Sequence, residues 1–312
     1  MNKFFVLLPV IVFFISCNFT KMNHRETPVV TKVDTVVLPE PEPFIKSLPK
    51  KLEENSGIIF YNNLFWTIND SGGKNRIFTF NFKGEIEKEV EIENAKNVDW
   101  EDIAQDKKYI YVGDFGNNRG NRKNQTIYKI EKKKIGKKAR QKVKSKKIRF
   151  SYANQTSFKS ENLATSFDCE ALVAYKKSLY IFTKDWVNRT TTVYRIPKNK
   201  GNYTLQPIDS FNVNGLVTGA DISPDKTKLA LVGYKDYRPI LWIFSNFNKE
   251  NFWGDSQMHL EMDNIFNAQT EGVCFLNNDS LLISCEATKT FPQQLFLIDL
   301  SKKTNYATPR SK

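Results

Sequence analysis

The sequence predicts an all-β protein folded as a β-propeller, on three observations. One acidic-and-apolar phrase recurs five times, the recurrence interval is that of a propeller blade, and no segment holds a helical period for three turns. The phrase is clearest from Asp99 to Asp114. There a short strand (Trp-Glu-Asp-Ile-Ala) and a polar turn at Gln105–Lys108 lead into Tyr-Ile-Tyr-Val-Gly-Asp. It recurs at Ser56-Gly57-Ile58-Ile59 with Phe65 to Asp70, at Glu170 to Val173 with Leu179 to Asp185, at Ala220 to Ser223 with Lys228 to Tyr234, and at Glu271 to Cys274 with Leu281 to Glu286. The starts at 56, 101, 170, 220 and 271 are separated by 45, 69, 50 and 51 residues. Blades repeat at roughly 40 to 50 residues, so five blades are expected, or six if the long second interval hides another.

The order of the chain fits this reading. Lys3 precedes an apolar run from Phe4 to Ile15, about a dozen residues where a membrane span needs roughly 20, which reads as the core of a signal peptide over residues 1–16. The run ends Phe14-Ile15-Ser16-Cys17, which resembles the lipobox of bacterial lipoproteins, with Cys17 as the lipidated residue; the alternative is an ordinary cleaved signal. A lipidated cysteine would place the protein in the cell envelope, anchored to a membrane, the outer membrane by expectation, facing the periplasm or the exterior. Residues 17–48 are polar and then Pro-rich, a tether. Within it Thr31 to Leu38 alternates Val33, Val36 and Leu38 with polar residues, and this strand is expected to complete the last blade and close the ring. The propeller occupies residues 49–301 and a basic tail 302–312.

Each repeat supplies a third strand, at Arg76–Phe80, Gln125–Ile130, Thr192–Ile196, Leu241–Phe244 and Gln294–Asp299. Weaker fourth strands follow at Ile86–Ile92, Lys147–Ala153, Leu205–Phe211 and Met258–Met262. Aromatic residues make up 13% of the chain and β-branched residues are frequent, which favours strands.

Charge is concentrated rather than spread. Between Lys129 and Arg149 stand twelve Lys or Arg and one Glu, a local charge of +11 in a chain of +13, which leaves only +2 for everything else. The stretch from Lys142 to Phe150 alternates like an outer edge strand, where lysine prevents edge-to-edge pairing. The other reading is that Lys132 to Arg149 contacts an anionic surface. Nucleic acid is not expected, because no aromatic residues interleave the densest part of the run.

Cysteine and histidine exclude several chemistries. Cys169, Cys274 and Cys285 lack metal-type spacing and fall in or beside inner strands, so they read as small buried hydrophobes. The only histidines are His24 and His259, which argues against a histidine zinc site or a Ser-His-Asp triad. There is no Gly-x-Ser-x-Gly elbow, phosphate-binding glycine loop or EF-hand loop.

The carboxylates remain. In a propeller, first strands start on the face where second strands end, so both acidic positions of the repeat converge on one mouth of the channel. First-strand starts supply Glu101, Asp102, Glu170, Asp221 and Glu271 as candidate metal ligands. Second-strand ends supply Asp70, Asp114, Asp185 and Glu286, with Trp100 as an aromatic neighbour, as candidate ligand-binding residues. Crowded carboxylates need a cation, positive side chains or protons. Ca²⁺, taking 6 to 8 oxygens, suits such a ring. A set of salt bridges to Arg76, Arg119, Arg122, Lys184 and Lys235, or an organic ligand held by carboxylates and aromatics, are the alternatives.

Trp66-Thr67-Ile68-Asn69-Asp70-Ser71-Gly72-Gly73, the Asp99–Asp114 phrase with Gly116-Asn117-Asn118, and Cys169-Glu170-Ala171-Leu172 resemble exported bacterial propellers of the SdiA-regulated and esterase-like-phytase groups, over about residues 50 to 300. Some related propellers are calcium-dependent lactonases. That resemblance implies a metal held by Glu101, Glu170, Asp221 and Glu271 and hydrolysis of esters, lactones or phosphates. A protein-interaction scaffold is the third function class.

Overall fold

In a computed structural model, which describes residues 35–70, 72–247 and 251–306, five four-stranded antiparallel units surround one axis. Blade I comprises Asn55–Tyr61, Leu64–Asn69, Arg76–Phe80 and Ile86–Ile92. Blade II comprises Trp100–Gln105, Tyr109–Asp114, Gln125–Glu131 and Lys146–Tyr152; blade III, Asp168–Tyr175, Ser178–Lys184, Thr191–Pro197 and Pro207–Phe211. Blade IV comprises Leu216–Ile222, Lys228–Lys235, Arg238–Ser245 and Ser256–Glu261. Blade V takes its first three strands from Gln269–Phe275, Ser280–Glu286 and Gln294–Asp299, and its fourth from near the N-terminus, Glu42–Ile45. The fold is therefore a five-bladed propeller closed by an N-terminal strand.

Local sequence explains the hairpins. Tyr61 and Leu64 are joined by Asn62-Asn63, whose positive φ values of 54° and 57° give the turn that matches strand twist, and asparagine tolerates that conformation better than most residues. Both faces of the inner strands are buried, as in Asp168–Tyr175, because each blade is covered on both sides by its neighbours. The apolar side chains consequently form five clusters, one between each pair of adjacent blades. Ile68, Val90 and Trp100 join blades I and II, and Leu172, Ile181 and Tyr111 join II and III. Phe182 and Phe244 join III and IV, Val232 and Phe296 join IV and V, and Cys274, Leu295 and Phe65 close the ring between V and I. The three described cysteines are free and buried. Cys274 and Cys285 lie in different clusters on opposite faces of blade V, as expected from their odd spacing along paired strands.

Three sequence expectations are corrected. The closing strand is Glu42–Ile45 rather than Val33–Leu38; the described part of the latter, Thr35–Val37, pairs with Thr304–Tyr306 in a separate two-stranded sheet. Pro43 is tolerated there because this strand is the outer edge of its blade, where a missing N–H costs no ladder bond. Lys146–Tyr152 is the fourth strand of blade II but not its edge, since Gly201–Leu205 from blade III pairs with it in parallel. The basic run instead sends Arg140–Val143 across to blade I as a fifth, parallel strand, so the second interval is long because it holds this added strand and not a sixth blade. There Glu89 and Glu91 take ion pairs from Lys51, Arg76 and Lys142 at 2.7–3.3 Å, with Arg140 at 3.8 Å from Glu89. Cys17 and the signal segment lie outside the described residues.

Candidate functional site

Near its start, each innermost strand carries a β-bulge. The interrupted register leaves Glu101 unpaired in blade II, Glu170 in III, Thr218 in IV and Glu271 in V, with Ser56-Gly57 as the equivalent in blade I. A bulge inserts one residue and re-aims its side chain. The two hydroxyl-bearing members stitch adjacent blades: Ser56 Oγ donates to the Glu101 carbonyl, and Thr218 Oγ1 to the Thr270 carbonyl at 2.7 Å. The three glutamates are 4–7% exposed and form the floor of one mouth.

Around them stand other carboxyls. Asp70, at the end of the second strand of blade I, Asp99 and Glu101 each offer an oxygen within 4.8 Å of the others. Gly116 makes this approach feasible, since a Cβ there would sit 2.0 Å from Glu101 Oε1 and 2.5 Å from Asp99 Oδ2. Asp168 is fully buried; its Oδ1 accepts from the Asn117 N–H at 2.5 Å and its Oδ2 from Trp186 Nε1 at 2.8 Å. The Glu170 carboxyl lies two residues on along the same strand, close enough that, beyond burial, Asp168 helps raise it. Glu271 accepts from Gln269 Nε2 at 3.0 Å, and Glu286 lies beside it.

Lys184 is the cation inside this group. It is 7% exposed, with Nζ 3.4 Å from Glu170 Oε2 and 5.3 Å from the Tyr234 ring centre, and against the cost of burial the neighbouring carboxylates, Glu170 first, hold its ammonium well above the usual lysine range. One cation does not balance so many acids. Burial, then repulsion from Asp70 and Asp168, pushes Asp99 up to about 7. Burial pushes Glu271 up to about 7 against the pull of Lys184, and burial with Glu271 beside it pushes Glu286 up to about 9. Burial and neighbouring acids raise Glu101 and Glu170 well above the carboxylate range. Among the described residues, no Lys or Arg lies within 4.0 Å of the Asp99 or Glu101 carboxylates.

The sequence therefore places Asp70, Glu101, Glu170, Glu271 and Glu286 together as expected, and misplaces others. Asp221 is three residues past the bulged Thr218, roughly 10 Å along the strand at ~3.3 Å per residue, and its Oδ2 accepts from the Phe275 N–H of the next blade. Asp102 follows the bulge and points into the ring axis, where it accepts from the N–H groups of Ile103 and Leu172, both at 2.7 Å. It fills the space beside Gly57, where a Cβ would come 2.2 Å from its Oδ1. Asp114 stands at the rim but is taken by Arg122, at 2.5 Å, and by Tyr128. Asp185 organises the 185–190 turn, accepting from Ser166, Asn188 and Thr190 side chains and from the Val187 N–H. Trp100 is fully buried between blades I and II and its Nε1 donates to the Lys96 carbonyl, so it offers no face to the mouth. Of the expected cations, Arg122 and Lys184 pair as described, while Arg76 serves the outer edge of blade I.

Sequence reasoning missed Asp99 and Asp168. The signal was present as Asp-x-Glu at Asp99–Glu101 and again at Asp168–Glu170, two residues apart at the same point of consecutive repeats.

No family model matches the sequence, and no curated protein matches it. Among solved structures, the fold is similar to a chain of hydrazine synthase from Kuenenia stuttgartiensis, with a TM-score of 0.41 and 12% identity over 82% of this chain and 66% of that one. At that distance the likeness says nothing about chemistry.

Proposed function

We propose that the acidic mouth binds a hard divalent cation, Ca²⁺ by chemistry, with Asp70, Asp99 and Glu101 as its carboxylate ligands. The observation that carries this reading is the approach of those three carboxylates to within 4.8 Å, with Asp99 and Glu101 against Gly116 and, among the described residues, no Lys or Arg within 4.0 Å of either carboxylate, Arg122 nearby being paired with Asp114. The fit rests on donor chemistry: an all-oxygen, multiply charged set suits Ca²⁺ and not a soft metal. Asp102 and Asp221 are outside this set, their carboxylates being taken by backbone N–H groups of Ile103, Leu172 and Phe275. Titration of the full chain with Ca²⁺ should raise the melting temperature, and Glu101→Gln should abolish that gain. No gain in the wild-type protein sinks the proposal.

A second reading, hydrolysis of an ester, lactone or phosphate, is supported by the neighbouring Asp168 and Glu170 carboxyls, with Lys184 Nζ 3.4 Å from Glu170 Oε2 and 5.3 Å from the Tyr234 ring centre. A bound cation would supply Lewis acidity toward a carbonyl or phosphoryl oxygen. Glu170, whose carboxyl burial raises well above its ordinary range, is the residue placed to donate a proton to a leaving group, and Lys184 to orient an anionic one. Turnover on a panel of esters, lactones and phosphomonoesters, lost in Glu170→Gln with the melting temperature kept, would establish it; no turnover by the wild-type protein dismisses it. The resemblance of the motifs to SdiA-regulated and esterase-like-phytase propellers is compatible with either reading. Anchoring through Cys17 is part of the proposal, and labelling with a fatty-acid analogue that persists in Cys17→Ser would refute it.

A further inference from the structure

The opposite mouth of the ring is a different chemical surface. A cavity of about 620 Å³ opens there, and all five blades line it through the ends of their first strands and the turns that follow. Its wall carries Lys107, Lys132, Lys176, Lys198 and Lys226. The two carboxylates in the lining are already engaged. Asp106 takes Lys198 at 3.0 Å and the Tyr111 hydroxyl at 2.8 Å, and Asp221 takes the Phe275 N–H at 2.9 Å.

We infer that this basic mouth is a second binding site, for an organic anion bearing a phosphate group, with Lys132 as the anchoring cation. Lys132 is half-buried, yet its partners are neutral: Nζ donates to Gln105 Oε1 at 2.7 Å and lies 3.7 Å from the centre of the Tyr61 ring. These contacts fix the ammonium at the wall of the cavity without cancelling its charge. Burial pushes the group down to about 8, with partial relief from Asp106, as expected of a cation that has no carboxylate of its own. Lys107, Lys176 and Lys226 stand exposed around it, and none has a carboxylate within 4.0 Å among the described residues. Several point charges without an arginine fork suit a multivalent tetrahedral anion better than a single planar carboxylate. Phe60, Pro224 and Phe275 give the cavity an apolar side for the rest of the molecule, and its volume is that of a small-ligand site.

The site is independent of the acidic mouth, because the Asp102 side chain and the close approach of Gly57 fill the axis between them. The phosphate has two sources, a soluble metabolite or a lipid headgroup, and the test separates them. The full chain is titrated calorimetrically with inorganic pyrophosphate and with monomeric dihexanoyl phosphatidylglycerol. Both Lys132→Met and Lys226→Glu should weaken binding at least about tenfold, the size of one lost charge-assisted contact, whereas Lys144→Met, exposed in the same basic run but outside the cavity, should not. Binding of pyrophosphate alone assigns a soluble ligand, and binding of the lipid assigns a headgroup. Equal weakening by Lys144→Met, or no binding of either probe, overturns the inference.

Discussion

Replacing Asp99 by asparagine should make the cation-free protein more stable, and only at neutral and alkaline pH. The side chain sits half-buried beside Asp70 and Glu101, and its carboxyl is raised from 3.8 to about 7, chiefly by burial. That is a shift of roughly three units, which at about 1.4 kcal/mol per unit sets an upper bound of about 4 kcal/mol on what ionising Asp99 costs the folded state. Neighbouring carboxyls that take up protons share the repulsion, so the recoverable part is about 1–3 kcal/mol. The sign follows from linkage. In the unfolded chain Asp99 ionises near 4, in the folded chain near 7, so the folded state holds the extra proton between those values. The cost is absent below about pH 4, accumulates as pH rises, and is complete above about pH 7. Asparagine keeps the backbone in place, since the contacts there run through the Asp99 N–H to Asp114 Oδ1 and the Asp99 carbonyl to the Phe115 N–H. Urea unfolding in chelator, followed by tryptophan fluorescence, should therefore show no difference at about pH 4 and a higher midpoint for Asp99→Asn at about pH 8. Added Ca²⁺ should close the gap by stabilising the wild-type protein alone. A variant that is less stable at alkaline pH, or a difference independent of pH, would refute the account of crowded, unneutralised carboxylates.

Two further outcomes are expected. Arg122→Met should destabilise by about 3–5 kcal/mol, because it leaves the Asp114 carboxylate, 2.5 Å from the guanidinium and almost fully buried, without its partner. Adding Asp114→Asn should recover much of that loss in a chemical-denaturation double-mutant cycle. Lys184→Met should cost a similar amount at about pH 8, where it strands Glu271, and distinctly less at about pH 5, where that carboxyl holds a proton in the folded state; thermal melts at the two pH values read the difference.

Much of the architecture was legible because β-structure writes itself into sequence with a period of two. Each blade's first three strands appear as alternating or continuous apolar runs between polar turns, and five repeats of that unit leave a ring as the economical way to cover every sheet face. The convergence of Asp70, Glu101, Glu170, Glu271 and Glu286 followed from strand direction alone. The blade IV position was misread because the repeats were aligned on their acidic residues, and the bulged residue of this blade is not acidic. Leu216–Ile222 offers Asp221 as the only acid to align, yet Thr218 occupies the equivalent place.

Side-chain alternation, then, determined from the sequence alone that the chain forms short antiparallel units, and narrowed their number to five or six; that it is five was decided by the pairing of Arg140–Val143 with blade I. Long-range pairing decided the rest. Glu42–Ile45 closes the ring and Arg140–Val143 caps blade I because outer edges accept whichever extended segment the chain brings to them, a choice governed by loop reach rather than residue pattern. The chemistry at each mouth was likewise set in three dimensions. Burial and mutual repulsion make the scattered acids of blades I, II, III and V into one cluster of raised carboxyls, and neutral partners leave Lys132 charged at the other end; both depend on distances between residues far apart in the chain.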